Sequence, residues 1–205
     1  LIRAFIFDFD GTLVDSNDVK QSAFFAVTTD IAGAAAILER ILAEPDHGDR
    51  YDIFEKLESE IGRDQLDAGR LVDAYGAFCE GEILDMLKSS RIMPLLDGLK
   101  AKGYALFIAS ATPEINLISM LAKSPFARVF EAVCGRPRSK AAILRDICQT
   151  HGWSPHEVIM VGDGELDSQG AVEFGCRFIG VDVEALARPA FFDHMLDVAG
   201  DSHDR

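Results

Sequence analysis

The sequence predicts an α/β fold: a parallel sheet flanked by helices, with a small helical insert. Three observations carry that prediction. From Pro94 onwards, short apolar runs bounded by turn residues alternate with helical segments, the mark of buried strands joined by crossover helices. A further apolar run at 4–7 stands apart from that series, and residues 19–89 between them carry helical spacing with almost no β-branched strand pattern. The apolar runs end in Asp8, in Ser110 and in Gly162-Asp163-Gly164, and the carboxyl ends of strands are where open parallel sheets place their ligands.

Taken in order, Ala4-Phe5-Ile6-Phe7 reads as the first strand and runs into Asp8-Phe9-Asp10-Gly11-Thr12-Leu13-Val14-Asp15-Ser16. A helix follows over 19–31, with Asp15, Ser16 and Asn17 as candidate caps, then an Ala-rich helical segment over 33–42. Pro45-Asp46-His47-Gly48-Asp49 is a loop by its turn chemistry. Over 51–61 and 64–89 apolar residues recur at helical spacing, as Ile53, Leu57 and Ile61, then Leu66, Leu71, Tyr75 and Phe78. These segments make a small bundle between the first strand and the rest of the sheet. A short helix over 95–102 ends at Gly103, and 104–110 is a buried strand. Pro113 opens a helix over 113–121, a favoured place for Pro. A strand at 130–134, a helix at 139–151 capped by Ser139, a strand at 158–161, a helix at 167–174 and a strand at 177–181 complete the alternation, which argues for right-handed parallel crossovers. The tail from Asp193 is polar apart from Met195, Leu196 and Val198, and reads as a terminal helix or a frayed end.

With 205 residues, 48% of them hydrophobic, the chain can bury a proper core. A formal net charge of −14 argues against nucleic acid and anionic membranes as partners, since both require a basic footprint. No stretch is both long and apolar enough to span a membrane, and no charged-then-apolar leader is expected. Cys79, Cys134, Cys148 and Cys176 are scattered without a Cys-x-x-Cys pattern. Buried free thiols in a reducing cytosol are expected, and hence a cytoplasmic protein; a monomer or homodimer is expected.

Asp8 and Asp10 end the first strand two residues apart, on one side if the chain stays extended, and Gly11 lets it bend just after them. Two carboxylates aimed into one small volume repel, and a cation or a shared proton holds them together. Ser110, followed by Ala111-Thr112-Pro113, combines a hydroxyl with free backbone N–H groups before a helix, which suits a phosphate oxygen and equally a plain helix cap. Gly135-Arg136-Pro137-Arg138-Ser139-Lys140 is a basic turn, and Val161-Gly162-Asp163-Gly164-Glu165-Leu166-Asp167 an acidic one after an apolar run. Asp167 is a second acid beside Asp163 or a helix-dipole partner.

In this order and spacing the four stretches resemble the motifs of the haloacid dehalogenase superfamily, in particular its phosphoglycolate phosphatase and β-phosphoglucomutase-like members. The resemblance covers residues 1–16 and about 91–185. It implies a Rossmann-like core over 1–16 and 91–205 and a helical cap over 17–90, with hinges at Gly11–Ser16 and Ser89–Pro94. It implies Asp8 as a nucleophile that forms an aspartyl-phosphate, and Asp10 as general acid and then base. It implies Mg²⁺ held by the Asp8 carboxylate, the Asp10 carbonyl and Asp163, with Asp167 assisting. Gly11, Thr12, Ser110, Ala111 and Lys140 would hold the phosphoryl group, and Lys20 from the cap is a further phosphate-binding candidate, with His47 and Arg50 behind it. The family's motif-three Lys often stands in Gly-Lys-Pro; here Arg136 occupies that spot, which leaves Arg136 and Lys140 both open. Glu165 would orient other groups. The implied activity is Mg²⁺-dependent hydrolysis of a small phosphorylated metabolite, such as a sugar phosphate, phosphoglycolate or a nucleoside monophosphate. Relatives that remove halide or cleave carbon–phosphorus bonds lack an acid at the place of Asp10. A phosphosugar mutase with the same core, or a non-catalytic metal- or partner-binding module, are the alternatives.

Overall fold

The computed structural model describes residues 1–64 and 66–200. Five parallel strands form one sheet: β1 (Ala4–Phe7), β2 (Ala105–Pro113), β3 (Ala132–Arg136), β4 (Val158–Gly162) and β5 (Arg177–Gly180), in the spatial order β3-β2-β1-β4-β5. β1 lies at the centre because all four of its residues are apolar and fully buried, as a strand covered on both faces requires. One face carries Ala4, Ile6, Phe107, Ala109, Val158 and Met160, packed with Ile143, Leu144 and Ile147. The other carries Phe5 and Phe7, whose rings meet Tyr104 at 5.0 Å and Phe130 at 6.2 Å edge to face. This is the Rossmann-like α/β architecture expected.

The helices are α1 (Asn17–Ala26), α2 (Ala34–Leu42), α3 (Arg50–Ile61), α4 (Ala68–Lys88), α5 (Met93–Ala101), α6 (Glu114–Ala122), α7 (Lys140–His151), α8 (Glu165–Phe174), α9 (Val183–Leu186) and α10 (Pro189–Ala199). Strand order reverses when the chain leaves edge strand β3 through α7 and enters β4 beside β1. The carboxyl ends of β1 and β4 therefore adjoin at the switch point of the sheet, the place where such folds hold ligands.

By their internal contacts the residues divide into two compact units, Leu1–Asp15 with the chain from Leu84 onwards, and Ser16–Ile83. The first holds the sheet. The second is helical. Its core gathers Phe24, Phe54 and Tyr75, with ring centroids 5.2, 4.6 and 5.9 Å apart, and α2 turns Ala34, Leu38 and Ile41 inward. Asp49 caps α3 by accepting from Tyr51 N at 2.9 Å, and Asp52 returns the bond to Asp49 N at 2.9 Å. The division falls inside α4, between Ile83 and Leu84, whereas the sequence places it after residue 90, beyond the helix.

Some boundaries differ from the sequence reading. The first helix of the insert stops at Ala26, where Thr28 turns its hydroxyl back to the Phe24 carbonyl at 2.8 Å and so competes with the helical ladder. β2 does not stop at Ser110: after an irregularity beyond Ala109 it runs on to Pro113, which pairs with Arg136. The tail forms α10, opened by Pro189 at the first turn and burying Met195, Leu196 and Ala199. Among the described residues no helix is long and apolar enough to cross a membrane.

All four cysteines are thiols; Cys79, Cys134 and Cys148 are buried and Cys176 is partly so. Burial pushes the Cys148 and Cys176 thiols up to about 11 and raises Cys134 as well. The folded protein should therefore react with a chromogenic disulfide at neutral pH at least ~10-fold more slowly than the denatured chain. Equal rates before and after denaturation would contradict this burial.

Candidate active site

Asp8 follows β1 directly, and its N–H donates to the Val161 carbonyl at 2.8 Å, carrying the β1–β4 pairing one residue past the strand. The chain then closes a tight loop. Leu13 N and Val14 N donate to the Phe9 carbonyl at 2.9 and 3.1 Å, and Gly11 N donates to the Val14 carbonyl at 2.7 Å. Gly11 makes this loop possible with φ +84°, and a Cβ there would strike the Asp163 carboxylate. Ala at position 11 should cost about 1–2 kcal/mol for the left-handed backbone alone, before the displacement of Asp163. Denaturant unfolding of Gly11→Ala measures this; an unchanged midpoint would rule the loop geometry out.

β4 delivers the second carboxylate pair. Asp163 follows Gly162 and is exposed, and Thr12 donates its hydroxyl to Asp163 Oδ1 at 3.1 Å. Asp167, in the first turn of α8, is 1% exposed and accepts from Gly164 N at 3.0 Å. α7 supplies the cation. Lys140 is its first residue, and the Ser139 hydroxyl caps the helix by accepting from Ala142 N at 3.2 Å. The Lys140 ammonium donates to Asp8 Oδ1 at 2.6 Å and is ion-paired with Asp167. α7 can approach α8 this closely because Gly170 has no side chain to meet the Lys140 Cβ, which would lie 2.8 Å away.

Asp8, Asp163 and Asp167 each offer a carboxylate oxygen within 4.8 Å of the others. Burial pushes the Asp8 carboxyl up from 3.8 to about 7, the Lys140 ammonium works against that rise, and the charge of Asp167 adds to it. Three carboxylates against one ammonium leave an excess of negative charge in a small volume. All three donors are hard oxygens. The set fits a divalent cation of the hard class.

β2 contributes hydroxyls. Ser110 is 1% exposed, and its Oγ accepts from Thr112 N at 3.0 Å. Thr112 donates its own hydroxyl to Asp10 Oδ2 at 2.6 Å.

Residues 5–181 match the family model described as haloacid dehalogenase-like hydrolase. The chain belongs to that family. It is an enzyme of the phosphatase type. It is 26% identical over 188 residues to a 5'-nucleotidase of Pseudomonas aeruginosa, covering 86% of this chain and 80% of that protein. It is 28% identical over 186 residues to a phosphoglycolate phosphatase of Synechococcus elongatus, with coverage of 88% and 84%. In fold it resembles a candidate β-phosphoglucomutase from Thermotoga maritima, with a TM-score of 0.66 at 16% identity over 87% of this chain and 85% of that one.

In this haloacid dehalogenase-like chain the structure brings together Asp8, Asp163, Asp167 and Lys140, with Gly11 and Thr12 against Asp163. Of the two basic candidates, Lys140 meets Asp8, whereas Arg136 is exposed at the end of edge strand β3. Ala111 is exposed beside Ser110. Glu165 is exposed and accepts from Gln169 at 2.8 Å, one turn along its own helix. Lys20, His47 and Arg50 belong to the helical unit: Lys20 is half-buried on α1, the His47 ring lies 2.7 Å from the Gly48 carbonyl, and the Arg50 guanidinium lies 5.1 Å from the Tyr51 ring and 5.9 Å from the Tyr75 ring. Sequence reasoning gave no role to Thr112. The signal was present: a hydroxyl two residues after Ser110 falls on the same side of an extended chain.

Proposed function

We propose that the protein is a Mg²⁺-dependent phosphatase that hydrolyses a small phosphorylated metabolite through an aspartyl-phosphate on Asp8. The observation that carries this reading is the buried Asp8 carboxylate at the switch point, with a lysine ammonium at 2.6 Å and a second acid, Asp10, two residues on. An Asp8 oxygen attacks phosphorus in line, a new P–O bond forms, and the bond from phosphorus to the ester oxygen breaks. Asp10 gives its proton to that departing oxygen. In the second half Asp10 takes a proton from water, whose oxygen attacks phosphorus. The bond to Asp8 breaks, and inorganic phosphate leaves with Asp8 restored. Lys140 balances charge on Asp8 and on the transferring group, and Ser110 with the backbone N–H groups of Thr12 and Ala111 holds phosphoryl oxygens, the Gly11 N–H being given to the Val14 carbonyl. Asp8, Asp163, Asp167 and the Asp10 carbonyl would hold Mg²⁺, which when bound neutralises charge on the phosphoryl oxygens. The helical unit would act as the cap that selects the leaving group, with Lys20 as a phosphate-binding candidate.

The names of the curated relatives support hydrolysis of a phosphomonoester over transfer between two positions of a sugar. The test is phosphate release from a panel of sugar phosphates, phosphoglycolate and nucleoside monophosphates, with Mg²⁺ and with EDTA. Release that needs Mg²⁺ is expected from at least one of them. Conversion of glucose-1-phosphate to its isomer without phosphate release would favour the mutase instead, and release undiminished in EDTA would remove the metal from the mechanism.

A further inference from the structure

We propose that Thr112 is a positioning residue for Asp10: its hydroxyl fixes one carboxyl oxygen so that the other exchanges the proton with the leaving group and then with water. The proposal rests on the reading of Asp10 as general acid and base. Its foundation is the 2.6 Å bond from Thr112 Oγ1 to Asp10 Oδ2, which joins the end of β2 to the loop after β1 across 102 positions of the chain.

A hydroxyl before a helix has an ordinary use as a cap, and this one is not so used. α6 begins at Glu114, its cap residue is Pro113, and no side chain caps it. The Thr112 hydroxyl is instead directed across the end of the sheet to Asp10. Its backbone is held from several sides. Thr112 N donates to the Ser110 hydroxyl at 3.0 Å. The Thr112 carbonyl lies against Gly135 so closely that any side chain at 135 would collide with it. Gly135 N in turn donates to Glu114 Oε2 at 3.0 Å, and Arg138 pairs with the same carboxylate and with Asp146 at 3.2 Å. The extension of β2 past Ser110 is what carries Thr112 to this place, since Pro113 pairs with Arg136 at the end of β3. A β-branched residue adds a restricted χ1, so the hydroxyl is preset before substrate arrives.

A carboxyl that gives and takes a proton must present the same oxygen in both half-reactions. A donor on Oδ2 leaves that task to Oδ1. The value of such positioning depends on the leaving group. An alkoxide needs its proton during bond cleavage, whereas a nitrophenolate departs without one. A purely structural role for Thr112 would affect both equally.

The test uses the full chain with Mg²⁺ and two substrates: p-nitrophenyl phosphate, and the alkyl phosphate most rapidly cleaved in the panel. Thr112→Val should lower kcat/KM, which reports the steps through departure of the leaving group, by about 10- to 100-fold for the alkyl ester, a share of what general acid–base catalysis supplies, and change kcat/KM for the aryl ester less than ~3-fold. Thr112→Ser, which keeps the hydroxyl, should stay within ~3-fold of the parent on both. Melting temperature and Mg²⁺ affinity of Thr112→Val should match the parent; if that variant does not fold, Thr112→Ala is read in its place. Equal losses of kcat/KM on both esters, or failure of Thr112→Ser to restore the alkyl ester, would overturn the proposal. Asp10→Asn is measured alongside. If it shows the leaving-group dependence and Thr112→Val does not, the positioning role alone falls. If Asp10→Asn lacks the dependence, the acid–base reading falls first and the positioning role with it.

Discussion

Asn in place of Asp8 should leave a folded protein with turnover reduced by at least ~10⁴-fold. The side chains are nearly isosteric, so the packing around a residue that is 6% exposed is kept. What is lost is chemical. An amide oxygen does not attack phosphorus at neutral pH, and the carboxylate that Lys140 meets at 2.6 Å is gone. The fold should tolerate the change, and the sign of the pH effect says why. In the metal-free protein the Asp8 carboxyl is raised from 3.8 to about 7, so the folded state binds more protons than the unfolded state across that interval. Stability contributed by this group is therefore present below about 4 and lost as pH rises through about 7. Asn carries no such loss, so in EDTA the melting temperature of the variant should fall less between pH 5 and pH 8 than that of the parent. Two measurements settle the point: phosphate release in Mg²⁺, and melting temperature against pH in EDTA. Activity within tenfold of the parent in a pure preparation would end the case for Asp8 as nucleophile.

The parts of this molecule that were legible in its sequence share a physical cause. Phe5, Phe7, Val158 and Met160 sit in strands buried on both faces, and such strands are written as unbroken apolar runs whose ends are easy to see. Asp8 and Asp163 each come straight after such a strand, and the structure's order, with β4 beside β1, is what brings them together. Lys140 was harder to read, because a lysine at a helix start says nothing about what its ammonium meets; only the close approach of α7 to α8 over Gly170 brings it between Asp8 and Asp167. The signal for Thr112 is easily passed over for a related reason. Its neighbours Pro113 and Glu114 announce a helix, and the pairing that draws β2 onward to Pro113 is made by β3, some twenty residues later in the chain. α9 and the start of α10 were missed because short helices after a last strand are set by docking on the core more than by their own periodicity; Leu186, Met195 and Leu196 are buried there.

Removing the cation should be the second large effect. Met at position 140 keeps the stem of the lysine and deletes its charge, leaving Asp8 and Asp167 facing each other. With Lys140 at 9% side-chain exposure and its partners at 8% and 2%, this breaks a buried ion network, for which a cost of about 3–5 kcal/mol is typical. Turnover should fall by about 10³-fold, since a fixed positive charge beside the transferring group is lost. The pH dependence is the more specific prediction. Lys140 is what restrains the rise of the Asp8 carboxyl, so its removal moves that group further above about 7. The interval in which the folded state binds the extra proton widens upwards. In EDTA the melting temperatures of Lys140→Met and the parent should therefore draw further apart as pH increases above 7, where the parent has already lost its proton and the variant is still losing its own. A gap that narrows with increasing pH would mean that Lys140 does not hold Asp8 in its charged form, and that the ammonium serves Asp167 alone.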